Sequence, residues 1–225
     1  MIPLRDSEPG RRTPVVMLSI LVANVLVFLY TVSLGSEAEI QAFFQTFGLV
    51  PARITGPDPP YYTFLTSMFL HGGWLHLFGN MLYLWIFGNN VEDAMGPFWF
   101  FVFYVLCGLA AAVTQILINP TSHVPMVGAS GAIAGVLGGY LVLYPRARIL
   151  ALVPLGFFLQ MAEVPAVIFL PLWFLLQLVY GVASLGVRSE FGGGVAFWAH
   201  IGGFVAGVIL VRVFARPPRR GWGTL

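Results

Sequence analysis

Only 9% of the 225 residues are charged and 58% are hydrophobic, against roughly 25% charged in an ordinary soluble domain. A soluble fold of this length could not keep so many apolar side chains from water, so lipid is the solvent that fits. The net charge of +2 comes with eleven arginines and no lysine, and no basic face interleaves with polar surface, which argues against nucleic acid as a partner; the single Cys107 rules out an intramolecular disulfide, argues against a cysteine metal site and reads as a small packing residue.

Uncharged apolar runs of about 17–25 residues read as membrane-crossing helices, and six follow one another along the chain. The first covers residues 14–34, after a short segment 1–13. Its apolar stretch exceeds the ~7–15-residue core of a signal peptide and no small-x-small site follows, so it is expected to remain as an anchor. In the connection 35–62, Ile40, Phe43, Phe44 and Phe47 recur at i, i+3, i+4 and i+7, with Glu37, Glu39, Gln41 and Gln45 between them. That spacing predicts an amphipathic helix, lying in the outer interface or packed on the bundle. The second span is 74–91, the third 97–118, and the fourth 130–144, which is short. The connection 146–163 holds Pro154 and Gly156 in an apolar stretch and is expected to be a cytoplasmic loop dipping into the interface. The fifth span is 165–183 and the sixth 197–214. The tail 216–225, with its Pro-Pro-Arg-Arg-Gly run, has the composition of a disordered segment.

Arginine placement orients the six spans. One side receives Arg5, Arg11, Arg12, Arg146, Arg148, Arg212, Arg216, Arg219 and Arg220; the other receives only Arg53 and Arg188. This asymmetry puts both termini in the cytoplasm. Five or seven spans would split the terminal arginine clusters across the membrane. The expected organisation is therefore an all-α membrane protein: a cytoplasmic segment 1–13, a six-helix membrane domain 14–215 and a cytoplasmic tail 216–225.

Polar groups inside membrane helices are costly and usually functional. The informative ones are His71, His76, Asn80, Ser130 and His200. At about 1.5 Å rise per residue, Ser130 lies about 22 Å from the inner end of its helix, and His200 and His76 each about 24 Å from theirs. The three share one level, with Asn80 one turn deeper on the face of His76. Each residue also has a structural reading: a membrane serine commonly bonds its own i−4 carbonyl, and a buried histidine can simply bond across helices. The tetrapeptide Gly-Ala-Ser-Gly at 128–131 is weak by itself, since Ala132 breaks the Gly-x-Ser-x-Gly pattern of the α/β-hydrolases. Agreement in depth favours a shared site. Gly131, Gly135 and Gly139, with Gly138 beside them, and Ala199, Gly203 and Gly207 form two small-residue ridges that would let the fourth and sixth helices approach closely.

The stretch His71-Gly-Gly-Trp-Leu-His76-Leu-Phe-Gly-Asn80 resembles the His-x-x-x-Asn motif of the rhomboid family, with its additional upstream histidine. The run from Gly88 through Glu92 to Gly96 resembles that family's Gly-x-x-x-Glu-x-x-x-Gly turn. Gly128-Ala-Ser130-Gly131 is similar to its nucleophile motif, and Ala199-His200-Ile-Gly-Gly203-Phe-Val-Ala-Gly207 to its Ala-His-x-x-Gly-x-x-x-Gly. The four motifs occur in order, and the resemblance covers about residues 14–215. One departure is the Trp-Arg pair that many members carry before the second span; here Pro60-Tyr61-Tyr62-Thr63 stands there, without an arginine.

The resemblance implies a six-helix bundle and an intramembrane serine endopeptidase. Ser130 would be the nucleophile and His200 its general base, with His76 and Asn80 lining the oxyanion hole. No cofactor or metal is implied. The partners would be transmembrane protein substrates and the bilayer, the location a bacterial or archaeal plasma membrane, and cleavage would fall in the outer part of the membrane. A dyad suits the sequence better than a triad, since no acid lies near His200 and a further buried charge would be costly. The fifth helix and the loop 184–196, with Gly192-Gly193-Gly194, are expected to form a mobile gate. A client-binding relative without activity and a transporter using intramembrane histidines are the competing readings. An intact Ser and His argue against the first, and the lack of internal repeats argues against the second.

Overall fold

The computed structural model describes residues 1–155, 158–185 and 196–215. Helices dominate. Strand β1 (Ile2–Asp6) precedes α1 (Val15–Ser33), α2 (Glu37–Phe47), and the single turns α3 (Pro51–Ile54) and α4 (Thr63–Thr66). Then come α5 (Trp74–Met95), α6 (Pro97–Ile118), α7 (Ser130–Leu143), the strands β2 (Arg148–Leu155) and β3 (Phe158–Pro165), α8 (Ala166–Ser184) and α9 (Phe197–Phe214). The third and sixth predicted spans coincide with α6 and α9. The second runs further than expected, to Met95, where Gly96 at φ 84° stops it and Pro97 opens the next helix.

Among the described residues, four helices, α1, α6, α8 and α9, are long and apolar enough to cross a membrane. Helix α5 has the length but carries His76, Asn80, Asn89, Asn90, Glu92 and Asp93. Helix α7 has 14 residues, of which ten are buried, and extends only about 21 Å. It is apolar on every side, as a helix enclosed by others must be. The perimeter is apolar too: Val22, Leu26 and Leu29 on α1 and Leu172, Leu175 and Val179 on α8 are exposed, a surface suited to lipid. Cys107 is buried in α6 and packs against Gly135 of α7.

The three strands form an antiparallel sheet in the order β1-β2-β3. Strands thus occupy Ile2–Asp6 in the first segment and Arg148–Leu155 and Phe158–Pro165 in the α7–α8 connection, where the sequence reading expected none. Ile2 pairs with Leu152 and Asp6 with Ile149, contacts whose long separation in the chain hides them from any local pattern. The local signal in β2 is short: Ile149 and Ala151 are buried while Arg148 and Leu150 are not. Asp6 pins the sheet to the bundle, accepting hydrogen bonds from the Tyr140 hydroxyl (2.5 Å) and the Asn90 amide (2.6 Å). Burial raises its carboxyl above the ordinary 3.8; these two bonds oppose the shift and the nearby Glu8 adds to it.

Glu92 also acts at long range. Its two carboxylate oxygens accept from the backbone N–H groups of Val16 (3.1 Å) and Met17 (2.7 Å). Those donors belong to the first turn of α1, where no intrahelical acceptor exists and where negative charge is favoured by the helix dipole. Glu92 is buried by this contact.

The predicted amphipathic helix is α2, opened by Ser36, whose hydroxyl accepts from the Glu39 N–H. Phe43 and Phe47 meet Tyr30 of α1 and Tyr62 edge-on, yet no residue of α2 is fully buried. Packing on the bundle and exposure at its surface therefore coexist. Where the Trp-Arg pair is missing, Tyr62 donates its hydroxyl to the Thr46 carbonyl (3.0 Å) and Arg53 donates to that of Gln45 (2.5 Å). Two other residues thereby tie down the end of α2.

Candidate active site

A cavity of about 1070 Å³ opens among α5, α7, α8 and α9. Ser130 reaches it as the first residue of α7, so the first-turn N–H groups of that helix have no intrahelical acceptor. His200 enters from the first turn of α9 and is buried. The His200 Nε2 and Ser130 Oγ atoms are 2.8 Å apart. The four sequence-predicted residues Ser130, His200, His76 and Asn80 all line this one cavity. A hydroxyl bonded to an imidazole nitrogen, beside free helix-terminal N–H groups, can in chemical terms be deprotonated while it attacks a carbonyl.

The close approach of α7 to α9 sets that distance. A side-chain carbon added at Gly203 would collide with the carbonyl oxygen of Gly131, one added at Gly207 with that of Gly135, and one added at Gly138 with that of Phe204. Backbones meet directly along this seam. The expected ridges do meet, with one change: Gly138 meets the α9 backbone, while Gly139 faces the side chains of Phe103 on α6 and Val211 on α9.

On the opposite side of Ser130, the Gly72 N–H donates weakly to His76 Nδ1 (3.4 Å). That leaves Nε2 of a neutral ring as the donor. A carbon built on Gly128 (φ 129°) would lie 2.8 Å from His76 Nε2 and 3.5 Å from Ser130 Oγ, so Gly128 keeps clear the space between the two groups. The Asn80 Nδ2 is buried and, among the described residues, has no acceptor, which makes it a spare donor in the cavity wall. His71 is buried behind His76, the rings 5.0 Å apart, and does not line the cavity.

Two residues of α8 complete the surroundings of His200, and neither figured in the sequence reading. Gln177 Oε1 lies 2.8 Å from His200 Nδ1, and the Trp173 ring stands 6.0 Å from the imidazole at 35°. The signal for Gln177 was present: it is the one amide in Ala166–Ser184, a helix without Asp, Glu, Lys, Arg or His. The expected gate loop falls mostly on residues 186–195, outside the described residues.

A sequence model of the Rhomboid domain matches residues 59–217. The chain belongs to the rhomboid family. It is 29% identical over 204 residues to "Rhomboid-like protein 11, chloroplastic" of Arabidopsis thaliana, an alignment covering 87% of this chain and 67% of the relative. It is 27% identical over 163 residues to "Rhomboid protease GluP" of Bacillus subtilis, covering 72% of this chain and 28% of that protein. It is also 28% identical over 96 residues to "Inactive rhomboid protein 1" of Drosophila melanogaster, covering 43% of this chain and 7% of that protein. This rhomboid protein is thus similar to one relative named a protease and to one named inactive.

Proposed function

We propose that this rhomboid protein is an intramembrane serine endopeptidase that cuts transmembrane substrates in the outer part of the bilayer. The observation that carries the reading is the 2.8 Å contact between Ser130 Oγ and His200 Nε2 inside a cavity among apolar helices. Ser130 attacks the scissile carbonyl, and His200 takes its proton and later returns it to the leaving amine. The oxyanion meets the Ser130 backbone N–H, His76 Nε2–H and Asn80 Nδ2, donors fixed before the charge develops. The cavity admits the water that hydrolyses the acyl-enzyme.

The membrane domain comprises six spans, α5 and α7 joining the four more apolar helices. Two contacts support this count. Pairing of β1 with β2 requires the N-terminal segment and the α7–α8 connection to share one side of the membrane, as four intervening spans allow. The bridge between Leu49 and Met126 joins the α1–α5 and α6–α7 connections on the other side. With the arginine asymmetry, the first side is the cytoplasm of a bacterial or archaeal cell, and both termini lie there.

A client-binding role without cleavage is the second reading, favoured by the similarity to a relative named inactive. Reconstituted protein with a model transmembrane substrate separates the two. Cleavage is expected from the wild type and from neither Ser130→Ala nor His200→Ala, and a serine-directed phosphonate should label Ser130. Binding of the substrate with no cleavage and no label would favour the second reading instead.

A further inference from the structure

We infer that Gln177 is a positioning residue of the proteolytic site, one that fixes which nitrogen of His200 carries the proton and which way the ring faces. The inference rests on the proteolytic reading above and deepens it. A neutral imidazole exists in two tautomers, and only the one with a bare Nε2 can accept the Ser130 proton. The Ser130 contact alone does not choose between them, because a hydroxyl both donates and accepts. Gln177 chooses. With the amide turned as it is in the structure, its Oε1 faces Nδ1 at 2.8 Å and accepts from it, so the hydrogen sits on Nδ1 and the Nε2 lone pair points at Ser130 Oγ, 2.8 Å away. Trp173, one turn earlier on α8, covers the ring and limits its rotation.

The chemical character of Gln177 supports the assignment. An amide in an otherwise apolar membrane helix is costly unless it is bonded, and Gln177 lines the cavity beside His200. Among the described residues no carboxylate bonds the His200 ring. A neutral amide thus orients the base without a buried negative charge.

The test uses the full chain reconstituted in liposomes. Gln177→Leu, close in shape and without an acceptor, should lower kcat about tenfold or more, the effect of one such hydrogen bond, and leave KM within about twofold. Gln177→Glu, which keeps an acceptor, should recover most of that loss. Nitrogen-15 NMR of histidine-labelled protein should find the wild-type His200 ring, assigned by its absence in His200→Ala, protonated at Nδ1 and bare at Nε2. In Gln177→Leu that ring should become a mixture of tautomers. A wild-type ring protonated at Nε2, an unchanged tautomer in Gln177→Leu, or equal losses in Gln177→Leu and Gln177→Glu would each overturn the inference. The wild-type spectrum decides even if Gln177→Leu does not fold. Ser130→Ala, run in parallel, tests the proteolytic reading separately: cleavage by that variant removes the reading, while the tautomer measurement still judges Gln177.

Discussion

The two helices that flank α9 touch it in different ways. Helix α7 meets α9 backbone to backbone, with Gly131, Gly135 and Gly138 against Gly203, Phe204 and Gly207 and no side chains between. Helix α8 meets α9 through rings: Phe174 lies 4.8 Å and Trp173 6.1 Å from Phe204, and Tyr180 lies 5.5 Å from Phe197. A backbone seam has no rotamers and cannot relax, whereas a wall of aromatic side chains can slide and repack. Ser130 and His200 sit on the two sides of the stiff seam, so their separation is protected. On the proposed function the compliant wall is the side from which a substrate helix would enter, and Gln177 of that wall lies 2.8 Å from the imidazole Nδ1.

The difference can be broken most severely at the seam. Gly203→Leu drives a side chain into the Gly131 carbonyl, and neither backbone can yield. The loss should exceed the ~1–3 kcal/mol usual for overpacking, abolishing the thermal transition of the purified protein along with its activity. Gly79→Ala on α5, where an added carbon meets nothing within 4 Å, should leave that transition unchanged or slightly higher. Equal melting of the two variants would mean that the seam is not what holds the bundle.

Locking the wall tests its proposed mobility. A verified cross-link between α8 and α5 should block cleavage of a transmembrane substrate while phosphonate labelling of Ser130 continues, because a small reagent needs no opening of the wall. Full cleavage by the cross-linked protein would refute entry on this side. A smaller effect is expected on α5, across the cavity: Asn80→Ala removes one proposed oxyanion donor and should lower kcat by about 10²–10³-fold, leaving measurable turnover. Complete inactivity with a normal fold would assign Asn80 a larger role.

The smallest effect lies far from both walls, in the sheet. Partial burial raises the pKa of Asp6. The folded state therefore binds the proton more tightly than the unfolded chain does. Docking of β1 is strongest below the ordinary carboxylate value of 3.8 and weakens as pH rises through the raised one. Amide exchange in β1, corrected for intrinsic rates, should be slower at acidic than at neutral pH, and Asp6→Asn should flatten the difference. Protection that increases toward neutral pH would contradict the sign.

Local patterns carried much of this molecule. Length and hydropathy located the helices to within a few residues, since a membrane segment is defined by its own composition. Helical rise alone put Ser130, His76 and His200 at one depth, and one cavity does contain them. The four motifs named a family that the Rhomboid domain match bears out. What stayed hidden was pairwise and distant. Strand β1 is a strand only because β2 supplies its hydrogen bonds. Glu92 completes the first turn of α1 from 75 residues away. Gln177 is a polar residue in an apolar helix, but its meaning depended on the rotation of α8, which the helix's own sequence does not encode. Solvent acts on each residue separately and so writes itself into local composition; hydrogen bonds need a particular partner, and the partner is chosen only when the helices pack.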